Sequence, residues 1–84
     1  MFGNEGFKDA MEGLLAIEND TSIPKNVRLK IKNAIIILSD EQEINIGIRI
    51  DRSLQELGDV AEDPSIPQHT RMQIWSVVSR LESK

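Results

Sequence analysis

Apolar residues recur along this chain mainly at helical spacing. After Pro24 they fall at Val27, Ile31, Ala34, Ile35 and Leu38; after Pro67, Thr70 opens an equivalent row with Ile74, Val77, Val78 and Leu81. Both rows follow i, i+4, i+7, i+8, i+11, which is one face of an α-helix. Two further stripes precede the prolines: Phe7, Ala10, Met11, Leu14 and Leu15, then Ile46, Ile50, Leu54, Leu57 and Ala61. Four amphipathic helices are predicted. One stretch, Glu43–Ile50, alternates polar and apolar with the period of a strand. A strand there has no second strand to pair with, so we read the third helix through it, starting at Asn45 as N-cap or at Gly47.

The pattern repeats. Shifted by 43 residues, Ile17–Leu38 lies over Val60–Leu81 with seven identities in 22 positions, where chance gives roughly one or two. The shared kernel is Asp-x-Ser-Ile-Pro-x-x-x-Arg, at Asp20, Ser22, Pro24, Arg28 and at Asp63, Ser65, Pro67, Arg71. Two units are expected, about 5–39 and 46–83, with a linker at 40–45, in one domain spanning residues 1–84.

Proline punctuates each unit. It lacks an N–H, suits a first helical turn, and pushes Ile23 or Ile66 out of the α region. Ser22 and Ser65 are expected to cap the new helices. Arg28 and Arg71 are expected to clamp the turns bidentately, each reaching back to the aspartate of its own unit, Asp20 or Asp63, or across to the aspartate of the other unit. An anion site at these helix N-termini is the less favoured role.

Four stripes must hide against one another. The expected fold is all-α, an antiparallel four-helix bundle of two repeated helical hairpins; an open two-unit solenoid leaves too much apolar surface uncovered. Charge fits the compact form. Residues 4–20 carry net −4, residues 25–39 net +4, residues 45–63 net −3 and residues 68–84 net +2, so successive helices attract weakly.

The doubled kernel, Asp20-Thr-Ser-Ile-Pro-Lys-Asn-Val-Arg28 and Asp63-Pro-Ser-Ile-Pro-Gln-His-Thr-Arg71 followed by Ile74-Trp75, resembles uncharacterised protein family 0147 of small archaeal proteins. The resemblance covers nearly the whole chain. It implies a small four-helix bundle and no particular activity. Each half also resembles a HEAT-type repeat, although Thr70 departs from that pattern where Val27 keeps it; this likeness implies protein contact rather than catalysis.

Composition narrows the chemistry. The 84 residues include no cysteine and one histidine, and the net charge is −4. Disulfides, thiolate zinc, iron–sulfur clusters, a cysteine nucleophile and a multi-histidine metal site are excluded. No cofactor is expected. The longest apolar run, Ala34–Leu38, is five residues, against about 20 for a membrane span. Met1–Gly6 lacks the features of a secretory signal, so the cytoplasm is the expected setting.

His69 lies near Ser65 and Asp63 in sequence, but all three sit in one turn and its following helix start, where a triad has no pocket around it. A solvated helix start is the expected role. Glu56, Asp59, Glu62 and Asp63 match no calcium-loop spacing and read as a solvated acidic end. Lys25, Arg28 and Lys32 share a basic face on the second helix. Their expected role is a solvated face; contact with an RNA backbone is the alternative, and no aromatic interleaves with them to stack on bases. Leu29, Ile36, Ile37, Met72 and Trp75 lie beside the main stripes. They are expected to broaden the buried face or else to form a partner or self-association surface. A non-enzymatic helical protein-interaction module, self-associating or binding a protein partner, is therefore expected. An RNA- or ribosome-associated accessory role is the alternative.

Overall fold

The computed structural model describes residues 4–82; the expected second unit ends at residue 83, and the stretch inspected for a signal begins at Met1, both outside the described residues. Four helices follow in order: α1 Asn4–Glu18, α2 Lys25–Leu38, α3 Ile46–Ala61 and α4 Gln68–Glu82. Among the described residues there is no strand, and the alternating isoleucines do not form one. Asn45 is the N-cap of α3, its side-chain oxygen accepting from the Gly47 N–H at 2.9 Å. That one bond satisfies an orphan amide and starts the helix before the alternation ends.

Each helix packs on two others: α1 on α2, α2 on α3, α3 on α4, and α4 back on α1. The ring is closed, which an open solenoid is not. The broader contacts run between the hairpins, α2 with α3 and α1 with α4, rather than within them. Short connections make chain neighbours antiparallel, so both proline turns come to one end of the bundle and the linker to the other. A pseudo-twofold arrangement of helix pairs follows.

The core is one cluster. It draws on Ala10, Leu14 and Ile17 of α1, Val27, Ile31, Ala34 and Leu38 of α2, Leu57, Val60 and Ala61 of α3, and Ile74, Val77, Val78 and Leu81 of α4. Ile23 and Ile66 plug it from the two turns. Removing a side chain such as Leu14 from such a core costs about 2–5 kcal/mol. Two expected stripe members are exposed instead, Leu15 and Ile46, and Ile17 and Val60 take up core positions missing from the expected stripes.

Where α1 crosses α4, the two helices approach closely at Gly13. A Cβ on Gly13 would stand 3.0 Å from Val77 Cγ2. Beside this contact runs a groove of about 490 Å³ whose wall includes Ala16, Gln73 and Ser76. Among the described residues one ion pair forms, Arg80 to Asp9 at 3.2 Å, both side chains about half exposed. It links α4 to α1 rather than chain neighbours, and at that exposure contributes only about 0–1 kcal/mol. Charge alternation along the chain therefore does not become ion pairing within the hairpins.

Candidate interaction surface

The two kernels build similar turns by a route other than the one expected. Ser22 donates from both its N–H and its hydroxyl to Asp20 Oδ1, at 3.0 and 2.6 Å. Ser65 does the same to Asp63 Oδ1, at 2.8 and 2.7 Å. The serines therefore do not cap the following helices. Pro24 itself occupies the N-cap of α2 at φ −54° and ψ 145°, with no side-chain cap, and its carbonyl accepts from the Val27 and Arg28 N–H groups. A proline contributes a fixed φ and a carbonyl at this position, and both are used. The serine hydroxyl, and then the serine N–H, hold the Asp20 and Asp63 carboxyls below their ordinary range.

The expected arginine–aspartate carboxylate clamp does not form. Arg28 Nε donates to the Ile23 carbonyl at 3.0 Å. Arg71 reaches further, with Nε on the Ala61 carbonyl at 2.8 Å and Nη2 on the Asp63 carbonyl at 3.1 Å. Each Asp already accepts from its serine, whereas the C-terminal carbonyls of a helix have no partner of their own. Arg71 fills that need for α3 and brings positive charge to the negative end of the helix dipole. The arginines are structural groups, half-buried in the turns.

No catalytic constellation is assembled from the residues considered. His69 is exposed, and the Ser65 hydroxyl is committed to Asp63. Glu56, Asp59, Glu62 and Asp63 remain at the end of α3, and among the described residues no group of three or more candidate ligands is placed to hold a metal ion.

The candidate interface residues are settled by helical phase. With Val27, Ile31, Ala34 and Leu38 pointing inward, Leu29 and Ile36 fall on the opposite side of α2. They are 51% and 56% exposed. On α4, with Thr70, Ile74 and Val77 inward, Met72 and Trp75 face away at 64% and 51%. The expectation that these residues broaden the buried face is thus overturned for four of the five; only Ile37 is half-buried. The two outer faces differ in charge. On α2 the stripe reads Lys25, Leu29, Lys32, Ile36, and at the positions 43 residues later α4 reads Gln68, Met72, Trp75, Ser79. Arg28 leaves the basic face for its turn. Ile44, Ile46 and Ile48, at the linker end of the bundle, are also exposed. None of them was among the expected surface residues, and Ile46 was expected in the inward stripe of the third helix.

Comparison with known proteins gives the same fold and no activity. The sequence profile of an uncharacterised protein family, UPF0147, matches residues 2–83. A UPF0147 protein of Sulfurisphaera tokodaii is 38% identical, over 99% of this chain and 93% of its own. A UPF0147 protein of Saccharolobus islandicus is 39% identical, over 98% and 92%. One from Methanosarcina mazei is 34% identical, over 95% and 85%. Among solved structures, the crystal structure of the unknown function protein MMP1188 superposes with a TM-score of 0.87 at 38% identity, covering 94% of this chain and 89% of that one.

Proposed function

For a chain that belongs to the uncharacterised protein family UPF0147, we propose a non-enzymatic helical module that acts by protein contact, pairing with a second copy of itself through the outer face of α4. The observation that carries this reading is the exposure of Met72 and Trp75 on a helix stripe whose four positions Gln68, Met72, Trp75 and Ser79 carry no charge, the nearest on that face being Glu82 at the helix end. Such a stripe meets its own copy without opposing like charges; Trp and Met are enriched at interface centres, and Trp is among the side chains that contribute most there. The outer face of α2 would instead set Lys against Lys. The two halves are read as copies of one hairpin unit, of which one outer face was kept neutral. The absence of cysteine supports a reducing, cytoplasmic setting, and no described helix is long and apolar enough to cross a membrane.

Sedimentation over a concentration series tests the pairing. The expected result is a mass rising from one copy toward two, with a matching blue shift of Trp75 emission, and Met72→Glu held at one copy. Because Met72 is exposed, the variant keeps its fold and its helical circular dichroism. A single-copy mass at every concentration with constant Trp75 emission overturns the reading, as does a Met72→Glu chain that still pairs.

A further inference from the structure

The neutral face of α4 has a charged twin, and nothing in the fold requires the charge. The positions of Lys25 and Lys32 on α2 correspond to Gln68 and Trp75 on α4, so the bundle forms with or without cations there. The whole of α2 carries four cations and no carboxylate, in a chain of net charge −4. Among the described residues neither Lys25 nor Lys32 has an ion-pair partner. Leu29 and Ile36 alternate with these lysines, each more than half exposed, giving one solvent-facing stripe of cation, aliphatic, cation, aliphatic at i, i+4, i+7, i+11.

We infer that this face docks an acidic amphipathic helix of another protein, one that carries carboxylates and aliphatic residues in the same alternation. The carboxylates answer Lys25 and Lys32, and the aliphatic side chains cover Leu29 and Ile36. A second copy of this chain is a poor occupant. Its α2 would oppose lysine to lysine. The corresponding outer stripe of α1 is Lys8, Glu12 and Leu15, followed by Asn19 just past the helix, and that of α3 is Asp51, Gln55 and Gly58, followed by the C-cap Glu62; neither alternates acid with aliphatic residues. RNA fits less well than an acidic helix. Its phosphates would answer the lysines, but they would press against Leu29 and Ile36, and no aromatic on this face stacks on a base. Helices α2 and α4 are not packed neighbours in the ring, so this face is separate from the one proposed for self-association.

The test uses the full chain and a fluorescent synthetic helix with Glu at positions i and i+7 and Leu at i+4 and i+11, read by anisotropy and by amide chemical shifts. Saturable binding is expected, weakening as salt is raised, with shifts confined to α2. The double variant Lys25→Glu, Lys32→Glu should lose about tenfold or more, and it should bind a peptide with Lys in place of Glu. A peptide with both leucines replaced by serine should lose comparably, a readout that leaves the protein untouched. The Met72→Glu variant should bind as the parent does, so failure of self-association and failure of this docking are told apart. Absence of binding overturns the inference. So does binding indifferent to the peptide leucines, or an RNA duplex that binds more tightly than the peptide and loses affinity in the same lysine variant.

Discussion

The two halves of the bundle carry the same nine-residue kernel but use its arginine differently. In the first turn Arg28 donates once, to Ile23 five residues back. In the second, Arg71 donates twice and reaches ten residues back, to Ala61 at the end of α3. The aspartate–serine contact, by contrast, is the same in both. A contact between residues two apart is set by the local chain, whereas a long flexible side chain takes whichever carbonyls the packing leaves free within reach.

The cores differ in a similar way. Ala10 of α1 corresponds to Ser53 of α3, and Val27 of α2 to Thr70 of α4, all fully buried. The Ser53 hydroxyl donates to the Ile50 carbonyl one turn earlier at 2.8 Å, but the Thr70 hydroxyl has no partner among the described residues. At the opposite end Arg49 of α3 donates to the Leu38 carbonyl of α2 at 3.0 Å, closing that helix end. The first half has Gly6 at that position, beside the Arg80 carbonyl of α4, so backbone approaches where a long side chain reaches in the second half. One scaffold thus tolerates a bonding side chain at a helix end in one half and only a glycine in the other, provided the inward row stays filled.

The largest expected effect breaks the symmetry of the turns. Arg71→Ala should lower the unfolding free energy by about 2–3 kcal/mol and Arg28→Ala by about 1 kcal/mol, because two charge-assisted bonds, to the helix-end carbonyl of Ala61 and the turn carbonyl of Asp63, are lost in one case and a single bond in the other. Urea denaturation reads both. Equal losses would mean that the two turns are held alike.

Exchanging the paired core residues sharpens the second contrast. Val27→Thr should cost about 1–3 kcal/mol by burying a hydroxyl. Thr70→Val should raise stability by about 1 kcal/mol by removing an orphaned one of the same shape. Thermal and urea midpoints of both variants decide it; a loss in Thr70→Val would show that the hydroxyl is satisfied in solution.

The smallest effect lies in acid. The folded chain lowers the pKa of both Asp20 and Asp63, chiefly through the serine hydroxyls. A carboxyl depressed in the folded state contributes its stability fully above its unfolded value, about pH 4, and loses it as pH falls through the lower folded value. Asp20→Asn and Asp63→Asn should each unfold more readily than the parent at pH 7, and the differences should close in strong acid. A gap unchanged between neutral pH and about pH 2 would break the assignment.

The four helices, their order and most of their inward residues are legible from residue spacing, because a helix converts periodicity directly into one face. Ile31, Ala34 and Leu38 with Ile74, Val77 and Leu81 lie inside, as their period demands. The aspartates and serines of the kernel were also legible as turn residues, though as caps and clamps rather than as partners of one another. Side chains flanking a stripe are different. Leu29, Ile36, Met72 and Trp75 become surface only once two neighbouring helices have taken up positions that leave them outside, and hydrophobicity alone does not distinguish a wide core from an uncovered face.

The chain by itself determined what depends on near neighbours: helical period, the proline breaks, the place of the two turns and a start of α3 at Asn45 or Gly47. The tertiary structure alone decided that the hairpins contact each other more than their own halves do, that Arg71 closes α3, and that Lys25, Leu29, Lys32 and Ile36 look outward together. Those outcomes depend on distances between residues far apart in the sequence, which exist only after the apolar faces have excluded water between them.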